Sequence, residues 1–225
     1  MPDLAQPLGS SDVSPVLDLD RIAAGVVTHA PFTYIVAHDV VSRDLILDLR
    51  RDFPDIERPG FLPVDTMPRH GVFDRLIREL ESPKLAAILT RRLDVDLNDK
   101  PKIVTVRKWS EKEAGRIHVD GAAKIVTSLV YLNETWPEEE DGGRFRVLYS
   151  NRSFDDTAAE IPPVFGTFVA FVRTDTSWHG HKPFVGERRV VQTAWLKSQA
   201  DFERKQKRGH LALFLKNLLG KTARG

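Results

Sequence analysis

The chain has 225 residues, 41% of them apolar and 29% charged, with a formal charge of +1, four Trp and no Cys. That is enough apolar side chain for a core without covalent staples, and the missing cysteine excludes disulfides, Cys-ligated zinc, iron–sulfur clusters and thiol catalysis. The near-zero charge gives no general reason to expect nucleic acid or an anionic membrane as partner, although residues 201–225 carry seven Lys or Arg against two acids, a local +5.

Residues 1–20 hold Pro2, Pro7, Gly9 and Pro15 with little apolar pattern and read as a flexible leader, with order expected to begin near Pro31. The start has neither the basic end nor the apolar stretch of a signal peptide, and no run approaches a membrane span, so the cytoplasm is the expected compartment. Residues 21–197 are expected to form a single domain, with helical support over 31–98 and a β core over 100–197. In the support, residues 32–36 are β-branched and aromatic and predict a short strand. Ser42 then caps a helix with Leu45, Ile46, Leu49 and Phe53 on one face, ended by Pro54. Phe73, Leu76, Ile77 and Leu80 recur at helical spacing, and Ser82-Pro83 opens a third helix carrying Leu85, Ile88, Leu89 and Leu93.

From Lys102 the apolar period changes to two. Strands are predicted at 102–109, 115–119, 124–132, 143–149, about 158–161, 167–173, 178–184 and 188–197, and eight strands imply a closed or two-sheet β architecture. The acidic stretches between them, 138–141 and 155–160, read as solvated loops. Residues 198–225 predict a basic amphipathic C-terminal helix, with a capping box at Ser198–Asp201 and an apolar stripe at Leu211, Phe214, Leu215, Leu218 and Leu219.

The chemistry concentrates in Arg116-Ile117-His118-Val119-Asp120. In an extended segment His118 and Asp120 leave the same face and converge on one small target. Ser177-Trp178-His179-Gly180-His181, some sixty residues on, offers a third ligand. Two imidazoles and a carboxylate on three corners of an octahedron leave three open positions, the pattern of non-haem Fe(II) oxygenases. Of the two histidines, His179 is the expected ligand, because Gly180 beside it leaves room for a metal and Arg189 stands ten residues further on. His181 would line the pocket. Arg189 is the natural clamp for a co-substrate carboxylate. It shares a predicted face with Val191, Thr193 and Trp195, whereas Arg188 goes with Val190, Gln192 and Ala194, and only one of the two arginines enters the pocket.

His118-Val119-Asp120, Tyr131-Leu132-Asn133 with Trp136, Gly142-Gly143, Gly166-Thr167, Trp178-His179-Gly180 and Arg189 resemble, in order and spacing, the Fe(II)/2-oxoglutarate-dependent dioxygenases, within them the prolyl-hydroxylase-like branch. The resemblance covers about residues 100–197. It implies a mainly β double-stranded β-helix (jelly-roll, cupin-like) core behind the N-terminal helical layer. It also implies Fe(II), 2-oxoglutarate and O2 as cofactor and co-substrates, with ascorbate stimulatory. His118, Asp120 and His179 would hold the iron, and Arg189 and Tyr131 the distal carboxylate of 2-oxoglutarate. Arg-x-Ser is common in the wider family; here the third residue is Val191, and Thr193 is the expected substitute. Lys124, Thr127, Phe145, His181 and Trp195 are candidates for substrate contact or for a layer behind the ligands. The expected partner is a small molecule or peptide and not nucleic acid. The alternative reading is a cupin-like barrel that binds metal or a small ligand without turnover.

Overall fold

The computed structural model describes residues 14–209. In chain order the elements are α1 (Leu19–Ala23), β1 (Val26–Thr28), β2 (Tyr34–Ala37), α2 (Ile46–Asp52), β3 (Leu62–Pro63), α3 (Gly71–Leu80), α4 (Pro83–Leu93), β4 (Lys102–Ser110), β5 (Lys124–Tyr131), β6 (Phe145–Leu148), β7 (Thr157–Ile161), β8 (Phe168–Val172), β9 (His179–Gly180) and β10 (Gly186–Leu196). Seven strands make one sheet in the order β1-β2-β8-β5-β10-β4-β3, and three make a smaller one, β7-β6-β9.

The helices start where local chemistry lets them. Ser82 accepts from the Leu85 amide at 3.2 Å and Pro83 takes the first turn of α4, which ends at Asp94 in the left-handed region. α3 has no capping side chain of its own. Its Val72 amide is bonded at 2.7 Å by the carboxylate of Asp52, from the end of α2, and Gly71, at φ +56°, has no side chain to collide with that carboxylate.

Alternation along the large sheet divides the interior in two. Ile35, Val104, Val106, Val126, Val130, Phe168, Ala170, Val191 and Trp195 face α2, α3 and α4 in the main core. Tyr34, Leu129, Tyr131, Val169, Phe171 and Val190 face the other way and meet Phe145 and Val147 of the small sheet. At about 25 cal/mol per Å² of apolar area, each large side chain so buried contributes about 2 kcal/mol before entropy is counted.

Several expectations are corrected here. The expected leader reaches into packed structure: Val16 and Leu17 are buried, and their amides bond the carboxylate of Glu79 at 3.1 and 2.6 Å. The strand expected at 32–36 is β2, and together with β1, which was not expected, it extends the large sheet that β3 edges on the other side. The predicted strand at 115–119 reduces to one bridge, between His118 and His179, and that at 178–184 to the two residues of β9, because Gly115 turns the chain at φ +77° and Pro183 interrupts the ladder. Residues 199–209 are helical, with Ser198 Oγ capping the Asp201 amide at 3.2 Å; the leucine stripe at 211–219 lies outside the described residues. Among the described residues no helix is long and apolar enough to cross a membrane.

Candidate metal centre

β5 and β9 lie in different sheets, and the bridge His118–His179 brings their leading segments together. Side-chain ligand atoms of His118, Asp120 and His179 all lie within 4.8 Å of one another. Each imidazole has its Nδ1 tied to a main-chain carbonyl: His118 donates to Arg116 at 2.7 Å and His179 to Ser177 at 2.8 Å. That fixes the tautomer and leaves both Nε2 lone pairs for a metal. Burial pushes His179 down to about 4, so at neutral pH it is in the uncharged form that ligates. Asp120 is pinned as well. Its two oxygens accept from Lys124 Nζ at 2.6 Å and Thr127 Oγ1 at 2.5 Å. Burial alone would raise its carboxyl, but the charges of Lys124 and His179 and these two hydrogen bonds outweigh it and hold the group at about 2. Two imidazoles and one oriented carboxylate fit a hard-to-borderline divalent ion with open positions, as Fe(II) requires.

The site opens on a cavity of about 280 Å³ lined by, among others, Phe61, Arg107, Leu129, His181, Arg188 and Gln192. Tyr131 is wholly buried behind it, its hydroxyl 3.3 Å from Arg188, and burial raises its pKa. Arg188 is 3% exposed and donates through Nε to the Gly143 carbonyl at 2.8 Å. Gly143 sits at φ +72°, where a Cβ would come within 2.6 Å of Trp136, so this glycine is what lets the carbonyl reach the guanidinium. Phe145, Phe171 and His179 pack around one another with ring centroids 4.4–5.6 Å apart.

The arginine expected in the pocket is not the one found there. Arg189 turns to the helical side, ion-paired to Glu187 and with its guanidinium 5.4 Å from the centroid of Phe53, while its amide donates to Asn133 Oδ1 at 2.6 Å. The even-numbered residues of β10, Arg188, Val190 and Gln192, face the cavity. For the same reason Thr193 and Trp195, with Val191, face away from it: Trp195 lies in the helix-side core, and neither lines the cavity. Where β10 passes β4, Glu187 pairs with Trp109 and Val190 with Arg107, so two arginines oppose the single residue Lys108.

The other candidates take different places. Lys124 and Thr127 bond Asp120, and Phe145 lines the cavity. Lys124 and Thr127 share the cavity face although three apart, because the β5–β10 register shifts by one residue around Ile125, which turns to the main core. His181 lines the cavity with its Nδ1 donating to the Lys182 carbonyl at 2.9 Å, and burial lowers it to about 3. Gly180 is needed for a different reason than expected: a Cβ there would strike the carbonyls of Gly115 and Arg116, not crowd a metal. Arg107 and Phe61 were not anticipated. A cue for Arg107 was present, a charge where the alternation of β4 calls for an inward side chain.

A large and a small sheet thus bring two imidazoles and a carboxylate together beside a buried arginine. Residues 105–197 match the family model described as the 2OG-Fe(II) oxygenase superfamily, so the likeness carried by the motifs extends over the core from β4 to β10. Among solved structures, the chain is similar to a prolyl 4-hydroxylase from Pseudomonas putida, at 20% identity over 83% of this chain and 97% of that one, with a TM-score of 0.54. It is also similar to HygX from Streptomyces hygroscopicus, solved with nickel and 2-oxoglutarate bound, at 13% identity over 74% and 82% of the two chains, TM-score 0.51. The viral collagen prolyl hydroxylase of Paramecium bursaria Chlorella virus-1, in its 2-oxoglutarate complex, aligns at 19% identity over 74% and 96%, TM-score 0.50. At these identities the likeness is one of fold. No curated protein matches the chain.

Proposed function

We propose that the chain is a non-haem Fe(II) dioxygenase that couples oxidative decarboxylation of 2-oxoglutarate to hydroxylation of a small molecule or an amino-acid side chain. The observation that carries this reading is one cavity walled both by the converging set His118, Asp120 and His179 and by the buried guanidinium of Arg188. When bound, iron supplies the site where 2-oxoglutarate and O2 react to succinate and CO2, one oxygen atom entering succinate and the other a C–H bond of the substrate. The chain's own residues bind, orient and shield. His118 and His179 present fixed Nε2 atoms, and Thr127 and Lys124 hold the Asp120 carboxylate in place. Arg188 and Tyr131 offer a charged fork and a hydroxyl to the distal carboxylate of the co-substrate, in place of Arg189 and Thr193. Phe145 and Phe171 exclude water on the small-sheet side.

Purified protein incubated in air with Fe(II) and 2-oxoglutarate is expected to form succinate slowly without substrate. His179→Ala abolishes metal binding and succinate together, whereas His181→Ala retains both. Tight metal binding by the wild type with no 2-oxoglutarate binding or consumption would instead support a non-catalytic cupin-like protein.

A further inference from the structure

If the preceding reading of the site is right, the cavity holds one guanidinium more than the co-substrate needs. Its charged lining residues are Arg107, Lys124 and Arg188 against the single carboxylate of Asp120. Lys124 is paired with Asp120, and Arg188 is assigned to the distal carboxylate of 2-oxoglutarate. With a divalent metal bound, its two charges and these three basic side chains stand against Asp120 and the two carboxylates of 2-oxoglutarate, so two positive charges are left uncompensated. Arg107 is left. It is only 9% exposed, its Nε has no hydrogen-bond partner, and among the described residues no carboxylate stands within ion-pair distance. Burial, and next the charge of Arg188, lower even this guanidinium to about 10. A cation kept in such a place wants an anion.

Arg107 is also held for use. Its guanidinium carbon lies over the ring of Phe61, 4.2 Å from the centroid, and both residues line the cavity. On the sheet it stands in one cross-strand row with Val190 and Tyr131, one strand to each side of Val190. Two strand spacings, about 10 Å, therefore separate the backbone of Arg107 from that of Tyr131. His181 adds a buried Nε2 without a partner in the same cavity.

We propose that Arg107, stacked on Phe61, receives an acidic group of the primary substrate, so that the substrate is a small anionic molecule, a carboxylate in the first instance, oriented by this guanidinium with its reacting C–H toward the metal. A carboxylate suits the planar fork better than a single-point acceptor does.

The test uses full-length protein loaded with Zn(II), which supports no turnover, and saturated with 2-oxoglutarate. Acetate and inorganic phosphate are titrated in separately while the Arg Nε–H resonances are followed by NMR, with Arg107 assigned from R107K. The Arg107 resonance is expected to move saturably with acetate. R107Q is expected to weaken acetate by at least about tenfold while the dissociation constant of 2-oxoglutarate changes by less than about threefold. A phosphate response stronger than that to acetate makes the substrate group a phosphate and keeps Arg107 as its anchor. Two results overturn the proposal: no response of the Arg107 resonance to either anion, or a loss of 2-oxoglutarate affinity in R107Q as large as in R188Q, which assigns Arg107 to the co-substrate. The wild-type titration decides the first point even if R107Q does not fold. A wild-type protein that fails to bind Zn(II) or 2-oxoglutarate at the outset overturns the dioxygenase reading and the proposal with it, and is recognised before any acetate is added.

Discussion

Asp120 carries two donors before any metal arrives, and the weaker-charged of them does the aiming. Lys124 supplies an opposite charge from one side, but Thr127 Oγ1 fixes the second oxygen and thereby the plane of the carboxylate. Removing that hydroxyl in Thr127→Ala is expected to weaken metal binding by roughly 10- to 100-fold, the usual cost of losing a partner behind a ligand, measured by competitive Zn(II) titration. The arginines give a second test at this scale. Arg188→Lys should weaken 2-oxoglutarate by roughly 10- to 100-fold, since a point charge does not reproduce the fork that bonds Gly143 and Tyr131, while Arg189→Lys should leave its dissociation constant within about twofold. Calorimetric titration of metal-loaded protein separates the two. Equal weakening by both would return Arg189 to the pocket.

Among the elements, α3 depends on a residue outside it. Asp52 accepts from the Val72 amide, and the hydrogen bond from Arg51 next to it, joined by that amide, outweighs burial and holds its carboxyl below the ordinary 3.8. Asp52→Ala removes the side-chain partner of the Val72 amide at the start of this helix and is expected to cost about 1 to 2 kcal/mol, read as a shifted urea midpoint. The sign of the acid response follows from the depressed pKa: the stabilisation is complete above the ordinary value and is lost as pH falls through the folded one. Wild type and Asp52→Ala should therefore differ in stability at pH 6 and converge well below pH 4. The elements differed in how far the sequence exposed them. α4 was legible in full, because Ser82, Pro83 and a leucine stripe act locally, and the long strands β4, β5 and β10 were legible from their β-branched, alternating runs. The metal set was legible because its ligands sit in short, spaced motifs. What stayed hidden was non-local: the Asp52 cap twenty residues away, the pairing of β1 and β2 onto β8, and the inward arginine, which depends on how β10 registers against β4.

At the scale of the whole molecule, the metal set ties the two sheets together, since His118 and Asp120 precede a strand of the large sheet and His179 belongs to the small one. An ion bound across that seam should stabilise the native chain by mass action, by about 2.7 kcal/mol when free metal stands at a hundred times its dissociation constant. Thermal unfolding with and without Zn(II) measures this, and His179→Ala should abolish the shift. A metal-independent melting temperature in the wild type would mean that the three side chains do not ligate together.

The place where two arginines of β10 face Lys108 alone acts like a change of reading frame in the sheet. The extra residue is absorbed in the β4–β10 pairing alone, since Arg188 keeps the face of Val190 and Gln192 as strict alternation requires. Deleting either arginine should therefore close the bulge, leave the ladder from Val190 onward in register, and turn the remaining guanidinium opposite Lys108 to the helical side, so that the cavity loses its arginine whichever of the two is removed.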